Sequence, residues 1–164
     1  MQKKRFIITG GSGFVGQFLI KKLSSLYPDS EIHNIDIHHS NSLGLSNVSN
    51  HIIDLTDQKS LKSFKFSEND TVYHLAAYIF TDHVPSKSKR ERWFESLNVY
   101  GTQNLLAAME ENGAQNIAFI STDMVYGSPQ TNPIEINHPL NPNGPYGLSK
   151  IKAEKLIGDF GARK

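Results

Sequence analysis

TGGSGFVG (residues 9–16) stands between the apolar run RFIIT (5–9) and a segment whose apolar residues recur at helical spacing. Gly10, Gly13 and Gly16 fall three apart, at a strand-to-helix turn. Glycine permits such a tight turn and lets backbone approach a pyrophosphate without a Cβ in the way. The helix start, at Phe14 and Val15, then offers unpaired N–H groups and a positive dipole end to the phosphates. Asp36 follows twenty residues beyond Gly16, at the end of a second apolar run. A carboxylate there accepts hydrogen bonds from an adenosine ribose. No Arg or Lys comes next, only Ile37, His38 and His39. A 2′-phosphate would meet an acid, so NAD fits better than NADP.

Outward from this turn the chain alternates strands and helices. RFIIT, EIHNID (31–36), HII (51–53), TVYHL (71–75) and NIAFIS (116–121) read as strands. Val15, Phe18, Leu19, Leu23 and Leu26 mark a first helix. A long helix is expected from about Trp93 to Glu111, with Trp93, Leu97, Leu105 and Ala108 along one face. Near-continuous apolar strands separated by helices predict an α/β fold, a doubly wound parallel sheet covered on both faces. No internal repeat interrupts it. The basic cluster SKSKRERW (86–93) reads as a solvated helix start. Pro129, Pro133, Pro139, Pro142 and Pro145, of seven prolines in all, fall in the loop and turn at 128–145. A long aperiodic loop inside a compact domain is commonly functional or disordered.

Composition sets limits. The 164 residues suffice for one domain, and a formal net charge of +1 gives no global field to recruit nucleic acid or an anionic membrane. With no cysteine, disulfides and thiolate metal sites are excluded. The adjacent His38 and His39 lack zinc-site partners, and His51, His74 and His83 lie on separate elements, so no metal is expected. No apolar run approaches a membrane span, and Phe6–Ile8 is too short for a signal peptide. The composition reads as that of a soluble, cytoplasmic protein.

PYGLSK (145–150) places Tyr146 and Lys150 one helical turn apart, with Pro145 suited to the first turn and Leu148, Ile151 and Leu156 expected to bury the other side. Alone the pair decides nothing. Together with TGGSGFVG, Asp36, DLTD (54–57), HLAA (74–77), NVYGTQNLL (98–106) and STDMVYG (121–127), it makes the chain resemble the extended short-chain dehydrogenase/reductase superfamily. Specifically, it resembles the N-terminal part of its NAD-dependent epimerase/dehydratase group, which acts on nucleotide sugars. The resemblance implies a Rossmann fold spanning 1–164, catalytic helix included, with the C-terminal substrate-binding part absent from this chain. It implies adenine contacts at Asp54 and Leu55, and backbone at Leu75, Ala76 and Ala77 against the nicotinamide half. Ser121 joins the cofactor set. Asn98 would prop the lysine, and Thr122 would place a hydroxyl beside the substrate's reacting oxygen. Lys150 would bind the nicotinamide ribose and, with the cationic ring, lower the Tyr146 pKa so that Tyr146 serves as base.

The reaction is less sharply specified. Asp123 could be a dehydratase acid, yet Met124 stands where dehydratases carry Glu, and a thioether cannot take a proton. Asp123 could instead cap the turn before Val125-Tyr126-Gly127. Epimerisation needs only Thr122, Tyr146 and Lys150. A reductase, dehydratase or hydroxysteroid-type dehydrogenase of the same superfamily and a non-catalytic NAD-binding module are the alternatives. The resemblance further implies a homodimer through helices 93–111 and 145–160, with Trp93, Leu97 and the outer face of the PYGLSK helix as candidate contacts, and a chain that binds NAD but shows little or no epimerase activity by itself.

Overall fold

A computed structural model describes residues 3–38, 44–81 and 83–163. His39, considered above, lies outside them. The strands β1 (Arg5–Thr9), β2 (Glu31–Asp36), β3 (Val48–Ile52), β4 (Asp70–His74) and β5 (Asn116–Phe119) form one parallel sheet in the order β3-β2-β1-β4-β5. The doubly wound expectation holds. Phe6-Ile7-Ile8 is apolar throughout because both faces of β1 are covered. Phe6 and Ile8 pack with Ile20, Leu23 and Ile32 beneath α1 (Phe14–Leu26). Ile7 joins Ile35, Val72, Leu105, Met109 and Phe160 on the opposite face.

Four local expectations are corrected. The first concerns which face α1 buries. Gly16, Ile20 and Leu23 are its buried residues, while Val15, Phe18 and Leu26 are exposed. A Cβ at Gly16 would lie 2.5 Å from the Gly10 carbonyl oxygen, so the helix rests on the turn there. That contact fixes its rotation and carries Ile20 and Leu23, four and seven residues on, to the sheet. The second is β3, which begins at Val48 rather than His51 and stops before Ile53. As an edge strand it pairs only with β2, so its polar Ser49 and Asn50 tolerate exposure.

Third, the long helix begins at Arg90 and is not uniformly α. It runs as α3 (Arg90–Glu95), a π-helical turn over Ser96–Gly101 and α4 (Thr102–Glu111), the four-residue α2 (Gln58–Leu61) lying earlier in the chain. Such π turns commonly mark functional positions, and this one holds Asn98. Fourth, α5 (Pro145–Ala162) buries Tyr146, Gly147, Ser149, Lys150, Ala153 and Phe160. Leu148 is 37% exposed, and Ile151 and Leu156 are only partly buried. The polar pair lies on the packed side, while Leu148 faces outward and Leu156 packs against the core only in part. The proline-rich loop has neither helix nor strand between 128 and 144 but folds on itself: Asn141 N–H donates to Val125 O (3.1 Å), and the buried His138 accepts from Gln130 N–H (3.0 Å). Among the described residues no helix is long and apolar enough to cross a membrane.

At the C-terminal end of β4 the imidazole of His74 is 1% exposed. Ala76 N–H donates to Thr9 Oγ1 (3.3 Å), and Thr102 Oγ1 donates to the Asn98 carbonyl (2.8 Å). Thr9 therefore has its proton free for His74 Nδ1 (2.6 Å), and Thr102 must accept from Nε2–H (2.9 Å). His74 is neutral with Nε2 protonated. Burial, with the Lys150 ammonium adding to it, lowers its pKa from 6.5 to about 3. A depressed folded-state pKa gives stability that is present above pH 6.5 and lost as pH falls towards 3. Denaturant unfolding is expected to show about 2 kcal/mol lost from this group alone between pH 7 and pH 5. His74→Gln should be less stable at pH 7 and fall less steeply; an equally steep fall would contradict the assignment.

Candidate active site

The C-terminal ends of β1, β2 and β4 and the residues just after β3 open into a cavity of about 730 Å³. Gly10, Gly13, Phe14, Val15, Gly16, Asp36, Asp54, Leu55, Leu75, Ala76 and Ala77 all line it. This is the whole predicted cofactor set apart from Asn98, Ser121, Tyr146 and Lys150. Gly10 has φ +72°, and a Cβ there would sit 2.7 Å from Ala76 N, so a side chain is excluded twice over. The residues fit a dinucleotide. Gly13 caps α1 with no side-chain hydrogen bond, and no acidic residue occupies the first turn. The helix start therefore keeps its donors and its positive end for an anion.

Asp36 stands at the mouth of the β2 end, held by two backbone donors. Ser12 N–H reaches its Oδ2 and His38 N–H its Oδ1, each at 3.0 Å, while Ser12 Oγ donates to the His38 carbonyl (2.7 Å). The carboxylate is thus oriented by the glycine turn itself. Asp54 accepts from Thr56 N–H and Oγ1, both at 2.8 Å, and shapes the turn after β3; Leu55 is buried, with its carbonyl held by Asn104 (2.8 Å). Ser12, Tyr78 and Ile79 also line the cavity and were not expected there, and His38 and Leu97, read for other roles, line it too. The position of Tyr78 and Ile79 directly after HLAA was the available signal.

Asn98, Ser121, Thr122, Tyr146 and Lys150 do not line this cavity, but Asn98 is hydrogen-bonded to its wall at Tyr78. Asn98 is buried, accepts from Tyr78 N–H (2.7 Å), and donates to Tyr78 O (3.0 Å) and Ser149 Oγ (3.0 Å). At Ser149 it holds the helix between Tyr146 and Lys150. The next residue after the wall, Phe80, meets the Tyr146 ring edge-on at 5.9 Å. Lys150 is 3% exposed; its Nζ donates to Ile120 O (2.7 Å) and lies 4.0 Å above the Phe119 ring. Ser121 Oγ donates to Glu154.

Among this chain's own residues, Lys150 by itself does not lower the pKa of Tyr146. The Tyr146 phenol lies above its ordinary pKa of 10.0, because burial and the Asp123 carboxylate outweigh the Thr122 hydrogen bond that lowers it. Lys150 does not offset this, its amine being turned to the Ile120 carbonyl. Burial lowers the Lys150 pKa from 10.5 to about 8, with Glu154 opposing. The cap of the one-turn helix Asp123–Val125 is also reassigned: Thr122 Oγ1, not Asp123, accepts from Met124 N–H (3.3 Å), and Asp123 accepts from Thr122 (3.2 Å). Trp93 stacks on Tyr78 at 4.2 Å and Leu97 packs against the core, so both candidate contacts are engaged within the chain. His51 is not isolated: its Nε2 lies 3.0 Å from Nδ1 of His33 on the neighbouring strand. Among the described residues no group of three or more His, Cys, Asp or Glu could hold a metal ion.

Residues 6–164 match the NAD dependent epimerase/dehydratase family. The chain is 38% identical over 154 residues to the N-acetyl-alpha-D-glucosaminyl-diphospho-ditrans,octacis-undecaprenol 4-epimerase of Escherichia coli O157:H7, covering 94% of this chain and 43% of that protein. It is 34% identical over 169 residues to the dTDP-D-glucose 4,6-dehydratase of Mus musculus, covering 98% and 47%. The solved UDP-glucose 4-epimerase from Brucella ovis in complex with NAD superposes with a TM-score of 0.79 at 25% identity, covering 97% of this chain and 48% of that one. The chain therefore spans less than half the length of these proteins. On its match across residues 6–164, together with the glycine turn and the strand order, the chain belongs to the NAD-dependent epimerase/dehydratase family.

Proposed function

We propose that the protein is an NAD-dependent nucleotide-sugar epimerase, of which these residues form the NAD-binding domain with its catalytic helix. The observation that carries the reading is that Tyr146 and Lys150 share the buried face of α5, and Asn98 ties that face to the cavity wall. Gly10, Gly13, Gly16 and the Phe14 and Val15 amides hold the pyrophosphate, and Asp36 the adenosine ribose. Bound NAD supplies the hydride acceptor and, in its oxidised form, a positive ring. Tyr146 takes the proton of a sugar hydroxyl that Thr122 orients, and returns it when the carbon is reduced on its other face. A phenol raised by burial is a weak base until cationic charge approaches it, which confines proton removal to the complex. Lys150, charged at neutral pH, anchors the ribose and supports the phenolate.

Met124 favours epimerisation over dehydration. It is exposed beside Asp123, and a thioether there can neither remove nor deliver a proton. The relatives include a dehydratase, so the reaction is decided by assay. In a protein of full family length, Tyr146→Phe should lower sugar interconversion by about 10²–10⁴-fold, the usual worth of a general base, while NAD affinity stays within a few-fold. An undiminished rate would sink the catalytic assignment. Net accumulation of NADH with substrate would point instead to a dehydrogenase.

Asp36→Ala should weaken NAD binding in calorimetry and raise the NADP/NAD affinity ratio, since the variant no longer repels a 2′-phosphate. A wild-type preference for NADP would contradict the role given to Asp36.

A homodimer is part of the same reading, with the outer face of the PYGLSK helix as its candidate contact and Tyr100 beside it. Tyr100 and Leu148 point outward from the π turn and α5. Sedimentation should show self-association that Leu148→Glu weakens; a strict monomer at high concentration would count against it.

A further inference from the structure

We propose that Glu154 is a positioning residue for Lys150: with Ser121 it pins the end of β5 to α5 and holds the lysine there in its charged form. The proposal rests on the catalytic reading of Lys150, although its test does not require turnover. Tyr146, Lys150 and Glu154 stand four residues apart in succession, so they form a ladder along one side of α5. The lower two rungs grip consecutive residues at the β5 end. Lys150 reaches the Ile120 carbonyl and the Phe119 ring, and Glu154 accepts the Ser121 hydroxyl.

The partners differ in a way that matters. Among the described residues no carboxylate lies within ion-pair distance of Lys150, which is nonetheless buried. A carbonyl and a ring face solvate an ammonium incompletely, so its charged form needs a field from further away. Ser121 fixes the Glu154 carboxylate by a hydrogen bond but adds no charge to cancel it. The negative charge therefore remains available to Lys150. Other groups facing Lys150 do not replace it. Tyr146 on α5 is neutral with its pKa raised, and His74 on β4 is neutral as well. Asp123, in the turn after β5, acts on Tyr146. Burial already brings the lysine to about 8, with Glu154 as the opposing influence. Without that carboxylate the amine would lose its proton within the neutral range, and with it the positive charge offered to the phenolate and ribose.

The experiment is a direct NMR titration of Lys150 in the 164-residue chain carrying isotope-labelled lysine, its signal identified by its loss in Lys150→Arg. The wild-type midpoint should lie near 8. Glu154→Gln should lower it by about one unit, a tenfold change in the ammonium-to-amine ratio, while the exposed Lys155 is unmoved. Ser121→Ala, which keeps the charge but frees the carboxylate, should lower it by less. Glu154→Asp should restore part of the loss. An unchanged Lys150 midpoint in folded Glu154→Gln overturns the proposal. If that variant does not fold, an unchanged midpoint in Ser121→Ala overturns it, and a lowered one supports it. A lowered midpoint alongside a full-length Tyr146→Phe protein of undiminished rate would leave this electrostatic role intact and reject the epimerase reading alone.

Discussion

The site depends on one uninterrupted run of buried hydrogen bonds, from Ala76 N–H through Thr9, His74 and Thr102 to the Asn98 carbonyl. Thr9 adjoins the glycine turn, Ala76 lines the cofactor cavity, and Asn98 supports the helix of Tyr146 and Lys150. One neutral imidazole thus sets the spacing between the dinucleotide cradle and the proposed acid–base pair. In a dry interior each of these bonds is costly to leave unmade, so the run has effectively one arrangement. The π turn belongs to it: Thr102 accepts from His74 and in turn satisfies the Asn98 carbonyl, which helical geometry there would otherwise have to accommodate.

Burial also governs the charges. It drives His74 to neutrality, lowers Lys150 and raises Tyr146, three shifts with one physical origin. A site left in this state is poorly suited to removing protons at neutral pH. In the proposed function, cationic charge beside the phenol would reverse the balance and couple base strength to the presence of the oxidised cofactor.

What the sequence discloses divides along physical lines. Gly10 and Gly16 are legible because backbone sterics demand glycine at that spacing, and Asp36 because the ribose contact proposed for it calls for a carboxylate at that strand end. The Phe6-Ile7-Ile8 run is legible because two covered faces require it. The buried faces of α1 and α5 are not, since periodicity is satisfied by more than one stripe and only packing chooses Ile20 over Phe18 or Lys150 over Leu148. Polar β3 lacks an alternating pattern because it is an edge. Periodicity cannot distinguish a π turn from an α turn at Asn98, nor foresee that a histidine in HLAA would bridge two threonines distant in sequence. The raised phenol escaped because the pair's spacing says nothing of where the lysine amine is turned.

The central claim is that one rigid unit presents the dinucleotide cradle and the Tyr146–Lys150 pair to the same ligand. The most direct measurement is a crystal structure of the chain with NAD. The account predicts the pyrophosphate on the Phe14 and Val15 amides, the adenosine ribose on Asp36, and the nicotinamide ribose within hydrogen-bonding distance of Lys150 Nζ, beside Tyr146. A nicotinamide bound away from α5, with Lys150 still directed only at the Ile120 carbonyl, would contradict it.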